Sequence, residues 1–312
     1  MEITNGELIR NETNQNAMGG TELMATRMHE LIPQDLLEGV QIIHSRPREL
    51  RNDLKKVLVL HDLPGDPEVQ HLKDGGWKKY DKLVFVSNWQ LQMYNAYLGV
   101  PYSHSVVLKN AINPISEIGK NDNVIKIIYH TTPHRGLNVL YAVFDAIAKT
   151  DDKVQLDVYS SFKIYGWEQR DEPYKELFDK LREHPQVNYY GSVPNDEVRL
   201  ALGVSHIFAY PSIWQETSCI SLMEAMSAGC LCVHPNYAAL PETSAGMTQM
   251  YQWTEDMNKH ADVFYNNLVY AIQTIRQRTF NGRAQKTYAD AYYNWANRRN
   301  EWCGFLEAIK NS

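Results

Sequence analysis

Short runs of apolar, often β-branched residues recur along the chain, each followed by a loop and then a stretch of helical period. The first four are VQIIHS (40–45), KVLVLHD (56–62), KLVFVSN (82–88) and SVVLKN (105–110). Five more follow: IKIIYHT (125–131), VQLDVYS (154–160), VNYYGSV (187–193), HIFAYPS (206–212) and CLCVHP (230–235). Runs without polar alternation belong to strands buried on both faces, which predicts parallel sheets covered by helices. The polar segment NPISEIGKNDN (113–123) separates the two series and reads as a linker. With 312 residues, the chain has room for two doubly wound α/β domains.

The intervening stretches carry helix punctuation. GGTELMATRMHELIP sets Met24, Met28, Leu31 and Ile32 on one stripe and closes at Pro33. SNWQLQMYNAYLGVP opens on a Ser/Asn cap and stops at Gly99, with Pro101 beyond. RGLNVLYAVFDAIAK repeats Leu137, Leu140, Val143, Phe144 and Ile147 at helical spacing. The tail YADAYYNWANRRNEWCGFLEAI steps through Tyr288, Tyr292, Trp295, Trp302, Leu306 and Ile309, a stripe interrupted by Arg299. MEITNGELIR makes a poor first strand.

Bulk properties exclude several classes. No apolar run approaches the ~20 residues of a membrane helix, and the first residues lack a secretory profile. A cytoplasmic, soluble protein is expected. The net charge of −6 disfavours indiscriminate polyanion binding. The 4 Cys (219, 230, 232 and 303) form no C-x-x-C pair and the His spacing gives no zinc signature, so they read as small buried hydrophobes. No D-x-D triplet is present. No metal and no cofactor are expected.

The stretch YPSIWQETSCISLMEAMSAGC (210–230) carries the most chemistry. A strand ends at Ser212, a loop holds Glu216, and Thr217 or Ser218 is placed to cap a helix through CISLMEAMSA. The start of such a helix, at the carboxyl end of a strand, attracts anions. With two sheets, the default ligand site is the cleft between them. Glu216 stands just outside the helix, and Glu224 leans back toward its start from roughly 9 Å away. Carboxylates suit vicinal hydroxyls rather than phosphate. The spacing fits a ligand with a diphosphate in the middle and a sugar at each end, Glu224 on a ribose and Glu216 on the other sugar. An equally open reading makes Glu224 a solvated helix glutamate.

The run ETSCISLMEAMSAG resembles the E-x7-E signature of retaining, nucleotide-sugar-dependent glycosyltransferases of the GT-B fold, family four. AGCLCVHP and the YGSVPNDEV turn (190–198) fit the same pattern. The resemblance is close from about 124 to 285 and thin before that. It implies two Rossmann-like domains facing across a cleft: an acceptor-side domain over 1–112, short for the family, a nucleotide-sugar domain over 113–285, and a C-terminal helix over 286–312 crossing back to the first.

The resemblance also assigns roles. Glu224 and Glu216 bind the ribose and the transferred sugar. Arg135-Gly136 opens the first helix of the second domain and grips the diphosphate. His130 stands where many relatives carry another Arg. Thr217, Ser218 and Cys219 line the helix start. Gly19-Gly20, in NAMGGTELMA, faces the donor from the first domain. LKNAIN (108–113) resembles the turn that ends the first domain, with Ala111 for the usual Gly. His61, ending KVLVLHD, contacts the sugar near the reacting carbon, with His44 as runner-up.

The reaction implied is transfer of a sugar from a nucleotide diphosphate sugar, UDP among the candidate nucleotides but donor base and sugar both left open, to an unidentified hydroxyl acceptor with retained configuration. A sugar-nucleotide epimerase or phosphorylase and a non-catalytic nucleotide-sugar-binding subunit are the rival readings. Arg46, Arg48, Arg51, Lys55 and Lys56 read as a solvated helix face. Their alternative role is to meet a phosphate-bearing acceptor, including modified nucleic acid.

Overall fold

The computed structural model describes residues 1–10, 19–46, 49–121 and 123–311. They divide into two compact units, Met1–Ala111 together with Tyr293–Ser312, and Ile112–Tyr292.

The first unit holds strands β1 (Glu2–Thr4), β2 (Glu7–Ile9), β3 (Val40–His44), β4 (Lys55–Leu60), β5 (Lys82–Phe85) and β6 (Ser105–Val107) in the sheet order β2-β1-β3-β4-β5-β6. β3 to β6 run parallel, as their apolar runs predict. The amino-terminal stretch, expected to make a poor strand, instead forms a hairpin whose β1 pairs antiparallel with β3. Its two-residue turn is Asn5-Gly6, with φ of 48° and 83°. Both residues are left-handed, the geometry that Asn-Gly favours between paired strands.

Helix α1 (Gly20–Leu31) buries Met24 and Met28; Ile32 is buried as expected but is already extended, and Leu31 is exposed, so the helical part of the stripe is shorter than the periodicity predicts. A short α2 (Gln34–Leu37) follows. Helix α3 (Asn88–Leu98) begins where Ser87 Oγ accepts the Gln90 N–H at 3.0 Å and ends at Gly99, φ 66°. Its Leu91, Tyr94 and Leu98 pack on Leu58, Leu83 and Phe85 of the sheet. The basic segment is not a helix face. Lys55 and Lys56 begin β4, Arg51 pairs with Asp53 in the preceding turn, and Arg48 lies outside the described residues.

The second unit holds β7 (Ile125–Tyr129), β8 (Val154–Val158), β9 (Val187–Tyr189), β10 (Ile207–Ala209), β11 (Leu231–Pro235) and β12 (Gln249–Tyr251), all parallel, in the order β12-β11-β10-β7-β8-β9. Its helices are α4 (Leu137–Ala148), α5 (Lys175–Glu183), α6 (Asn195–Val204), α7 (Ile220–Ser227), α8 (Leu240–Ser244), α9 (Met257–Arg276) and α10 (Arg283–Tyr292). The chain builds outward from β7 to β9, then returns to β10 on the other side of β7. The order therefore reverses between β7 and β10, and the crevice outside their carboxyl ends is where such sheets take ligands.

The segment read as a linker is not a free tether. Ile115 N–H donates to Ser227 Oγ at 2.8 Å and Lys120 Nζ to the Gly229 carbonyl at 2.7 Å, which ties it into the second unit. The aromatic tail forms two helices rather than one. Asn294 has extended ψ of 151° and accepts the Asn297 N–H, which ends α10 and starts α11 (Trp295–Lys310). In α11 the buried residues include Trp302, Leu306 and Ile309. Arg299, which interrupts the stripe, uses its Nε to donate to the Leu31 carbonyl at 2.8 Å.

Candidate functional site

Two loops meet at the switch point of the second unit. One leaves β7 as His130–Gly136, and the other leaves β10 as Tyr210–Cys219. They are joined three times. Ile213 N–H donates to the Arg135 carbonyl at 3.3 Å, Arg135 Nη1 reaches Glu216 Oε1 at 2.6 Å, and the rings of His134 and Trp214 meet at 4.7 Å. Gly136 makes this approach possible. Its φ is 118°, and a Cβ there would stand 2.2 Å from the Pro211 carbonyl oxygen.

Glu216 is buried at 3 % exposure, so its charge needs partners. Arg135 supplies one, and the Tyr210 hydroxyl donates to the same oxygen. Burial, reinforced by the adjacent Glu216, pushes the Tyr210 phenol well up and keeps it a donor. Thr217 and Ser218 are half-buried and Cys219 is buried. The helix does not start where the sequence suggests. The cap position of α7 is Cys219, and no side chain caps it.

Glu224 is not a solvated glutamate: it is 5 % exposed. Its Oε1 lies 3.4 Å from Asn195 Nδ2 and 3.3 Å from Arg199 Nη1, both on α6. Arg199 is itself fixed by the Asn113 and Pro114 carbonyls through Nη2. Burial pushes the Glu224 carboxyl up, and Arg199 and Asn195 pull it back. Asn195 and Arg199 escape the sequence reading. Their only signal is the i, i+4 spacing that puts both on one face of α6.

His130 ends β7 beside Phe208, with Nε2 3.9 Å from Glu224 Oε2. Burial pushes its imidazole down to about 3, so it is neutral near pH 7. It is therefore no substitute for an arginine's charge, although a neutral ring still donates one hydrogen bond. The loop after β7 has an unusual accumulation of unsatisfied groups. His130 Nδ1 and Nε2, Thr132 Oγ1, His134 Nδ1 and Arg135 Nε are all buried without a hydrogen-bond partner. Native proteins leave few such atoms unmatched. Ser221 Oγ, in the first turn of α7, donates to the His130 carbonyl at 3.3 Å and ties that loop to the helix start.

The remaining candidates lie in the first unit. Gly19 precedes α1 with φ −68° and ψ 171°, a conformation open to any residue, and Gly20 is the first helical residue. His61 follows β4. Its Nε2 is 3.3 Å from His44 Nδ1, and the rings stack at 5.6 Å. The pair lines a pocket at the carboxyl ends of β3 to β6, together with Lys109, Asn110, Trp295 and Arg298. Burial keeps both imidazoles down, His61 at about 4 and His44 well below its usual value. Among the described residues, no group of three or more His, Cys, Asp or Glu is placed to hold a metal ion, and no helix is long and apolar enough to cross a membrane.

Two Rossmann-like α/β units are the architecture of GT-B glycosyltransferases. Residues 109–245 match the family model of glycosyl transferases group 1, so the chain resembles that family in sequence as well as in fold. A glycosyltransferase of Rickettsia africae ESF-5 superposes with a TM-score of 0.69 at 16 % identity, over 98 % of this chain and 85 % of that one. HepE of Anabaena, solved with UDP-glucose, gives a TM-score of 0.62 at 13 % identity, over 82 % of this chain and 72 % of that one. In sequence, the phosphatidylinositol N-acetylglucosaminyltransferase gpi3 subunit of Schizosaccharomyces pombe is 24 % identical over 188 residues. That match takes in 60 % of this chain and 39 % of the relative's length.

Proposed function

We propose that the protein transfers a sugar from a nucleotide diphosphate sugar, UDP-linked in the first instance, to a hydroxyl acceptor with retention of configuration. The observation that carries this reading is the loop of unmatched buried polar groups after β7, tied to the start of α7, with Glu216 before that helix and Glu224 within it. A diphosphate there would meet Arg135, His130, Thr132 and the uncapped amides of α7. Glu224, oriented by Asn195 and Arg199, would take the ribose hydroxyls. Glu216 would take hydroxyls of the transferred sugar, with Thr217, Ser218 and Cys219 along the same turn. Gly136 serves by allowing the two loops to approach.

In transfer, charge grows on the leaving diphosphate. Arg135 and the helix start are fixed in place before it does, and a preorganised donor of this kind is typically worth about 3–4 kcal/mol. No metal is given a role. In the first unit, Gly19 takes the N-cap position of α1, where glycine is among the favoured residues and leaves room for a ligand. The fold of the UDP-glucose-bound neighbour supports the donor class, and the name of the yeast relative supports hexosaminyl transfer as one form of it.

The test is a thermal-shift screen of UDP, GDP and ADP and their sugar conjugates, with and without EDTA. A ligand of the native state raises its melting point. A rise with one nucleoside diphosphate, unchanged by EDTA, is the expected result. No rise with any of them would overturn the reading. Binding without transfer to any acceptor would leave a nucleotide-sugar-binding subunit, and formation of an isomeric nucleotide sugar would point to an epimerase.

A further inference from the structure

Trp214, with its neighbour Gln215, is exposed in a loop whose two ends are buried. It is 40 % accessible, although the preceding Pro211 and Ser212 and the following Glu216 are all buried. The loop around it is held by bonds to Ser212. Ser212 Oγ donates to the Trp214 carbonyl at 3.0 Å and accepts its N–H at 3.3 Å. The ring has a wall behind it. His134 stands at 81° to it with centroids 4.7 Å apart, and His134 in turn stacks on Phe162 at 5.1 Å and 18°. These three aromatic residues come from three different loops, at the carboxyl ends of β7, β8 and β10. Burial pushes the His134 imidazole down to about 4, aided by Arg135 and Arg170, so the middle ring is neutral near pH 7.

This wall and the ion pair are carried by the same two loops. His134 immediately precedes Arg135, and Trp214 stands two residues before Glu216. The loops that bring Arg135 to Glu216 therefore also bring His134 to Trp214. A buried carboxylate and an exposed tryptophan thus share one loop. Together they suit a ligand that is polar at its rim and apolar on its face. A pyranose with equatorial hydroxyls is such a ligand: the hydroxyls project around the ring, and the axial C–H groups make both faces apolar.

We propose that Trp214, braced by His134 and Phe162, is the platform on which the sugar ring of the donor packs while Glu216 holds its hydroxyls. This rests on the donor-site reading above and adds the element that distinguishes a sugar conjugate from the bare nucleotide. An indole also tolerates a change of sugar substituent better than a set of directed hydrogen bonds does, because its contact is non-directional.

The experiment is calorimetric titration of the wild type, Trp214→Ala and Trp214→Phe with UDP, GDP and ADP and with their glucose conjugates. The wild type should bind one conjugate more tightly than its parent nucleotide. In Trp214→Ala the conjugate should weaken about tenfold, the size of one lost aromatic contact, while the bare nucleotide stays within about twofold. Trp214→Phe should keep most of the increment. An unchanged conjugate affinity in Trp214→Ala would overturn the platform and leave the donor site standing. Equal weakening of nucleotide and conjugate would also overturn it, because Trp214 would then merely support the loop. Failure of the wild type to bind any nucleotide would remove the donor site itself.

Discussion

Arg135 Nη1 lies 2.6 Å from Glu216 Oε1, and each residue comes from a different loop at the switch point of one sheet. Neither charge has another charged partner within bonding distance among the described residues. Removing one side of a buried pair leaves the other charge desolvated. Arg135→Ala should therefore destabilise the fold as well as weaken ligand binding, by about 3 kcal/mol, the low end for such a pair because Arg135 is partly exposed. The double variant Arg135→Ala/Glu216→Gln should recover part of that loss in chemical denaturation. No recovery would show that the two residues are not energetically coupled.

Gly136 gives a prediction about backbone rather than charge. Gly136→Ala would force an L-residue to φ 118° and drive its Cβ into the Pro211 carbonyl, so a loss of at least about 2 kcal/mol is expected. Gly119→Ala is the control, since no atom lies within 4 Å of its added Cβ and its φ is ordinary. Equal stability of the two variants would count against the close approach of the β7 and β10 loops.

Glu224→Gln separates binding from folding. Arg199 keeps its bonds to the Asn113 and Pro114 carbonyls, so the melting temperature should move little. Affinity for the nucleoside diphosphate should fall about tenfold or more, as an amide accepts fewer ribose hydroxyl bonds than a carboxylate. Unchanged affinity would remove Glu224 from the ribose site.

Stability should fall on mild acidification. Free imidazoles titrate near 6.5, whereas burial holds His130 at about 3 and His234 at about 4 in the folded chain. Between those values the unfolded state binds more protons than the native one. Stability is then full above pH 6.5 and declines as pH drops toward 4, by up to about 1.4 kcal/mol per pH unit for each such ring. Melting curves at pH 7, 6 and 5 should shift downward in that order. The buried carboxyls of Glu224, Asp157 and Asp62, which burial pushes up, act in the opposite sense, so a flat or rising series would mean that the imidazoles do not dominate.

Much of the sheet architecture was legible because parallel strands buried on both faces leave continuous apolar runs. The amino-terminal hairpin was not read, although Asn5-Gly6 is the dipeptide that its turn demands. Glu216 and Glu224 stand out in the sequence, but their surroundings do not. Helical spacing alone cannot tell whether a glutamate is buried. The groups that hold Glu224, Asn195 and Arg199, sit 29 and 25 residues away on another helix. Tyr210 is only six residues from Glu216, yet its role depends on the loop folding back. The wall of Trp214, His134 and Phe162 joins three loops, and no local pattern announces it.

Helix α11 follows the second unit along the chain but packs in the first. On a ribosome, residues 1–111 would emerge and then wait for 112–292 before Trp302, Leu306 and Ile309 could close over their core. At roughly 5–20 residues per second that delay is on the order of 10–35 s. During it the nascent segment 1–111 exposes apolar surface, which makes it the part that chaperones would be expected to hold.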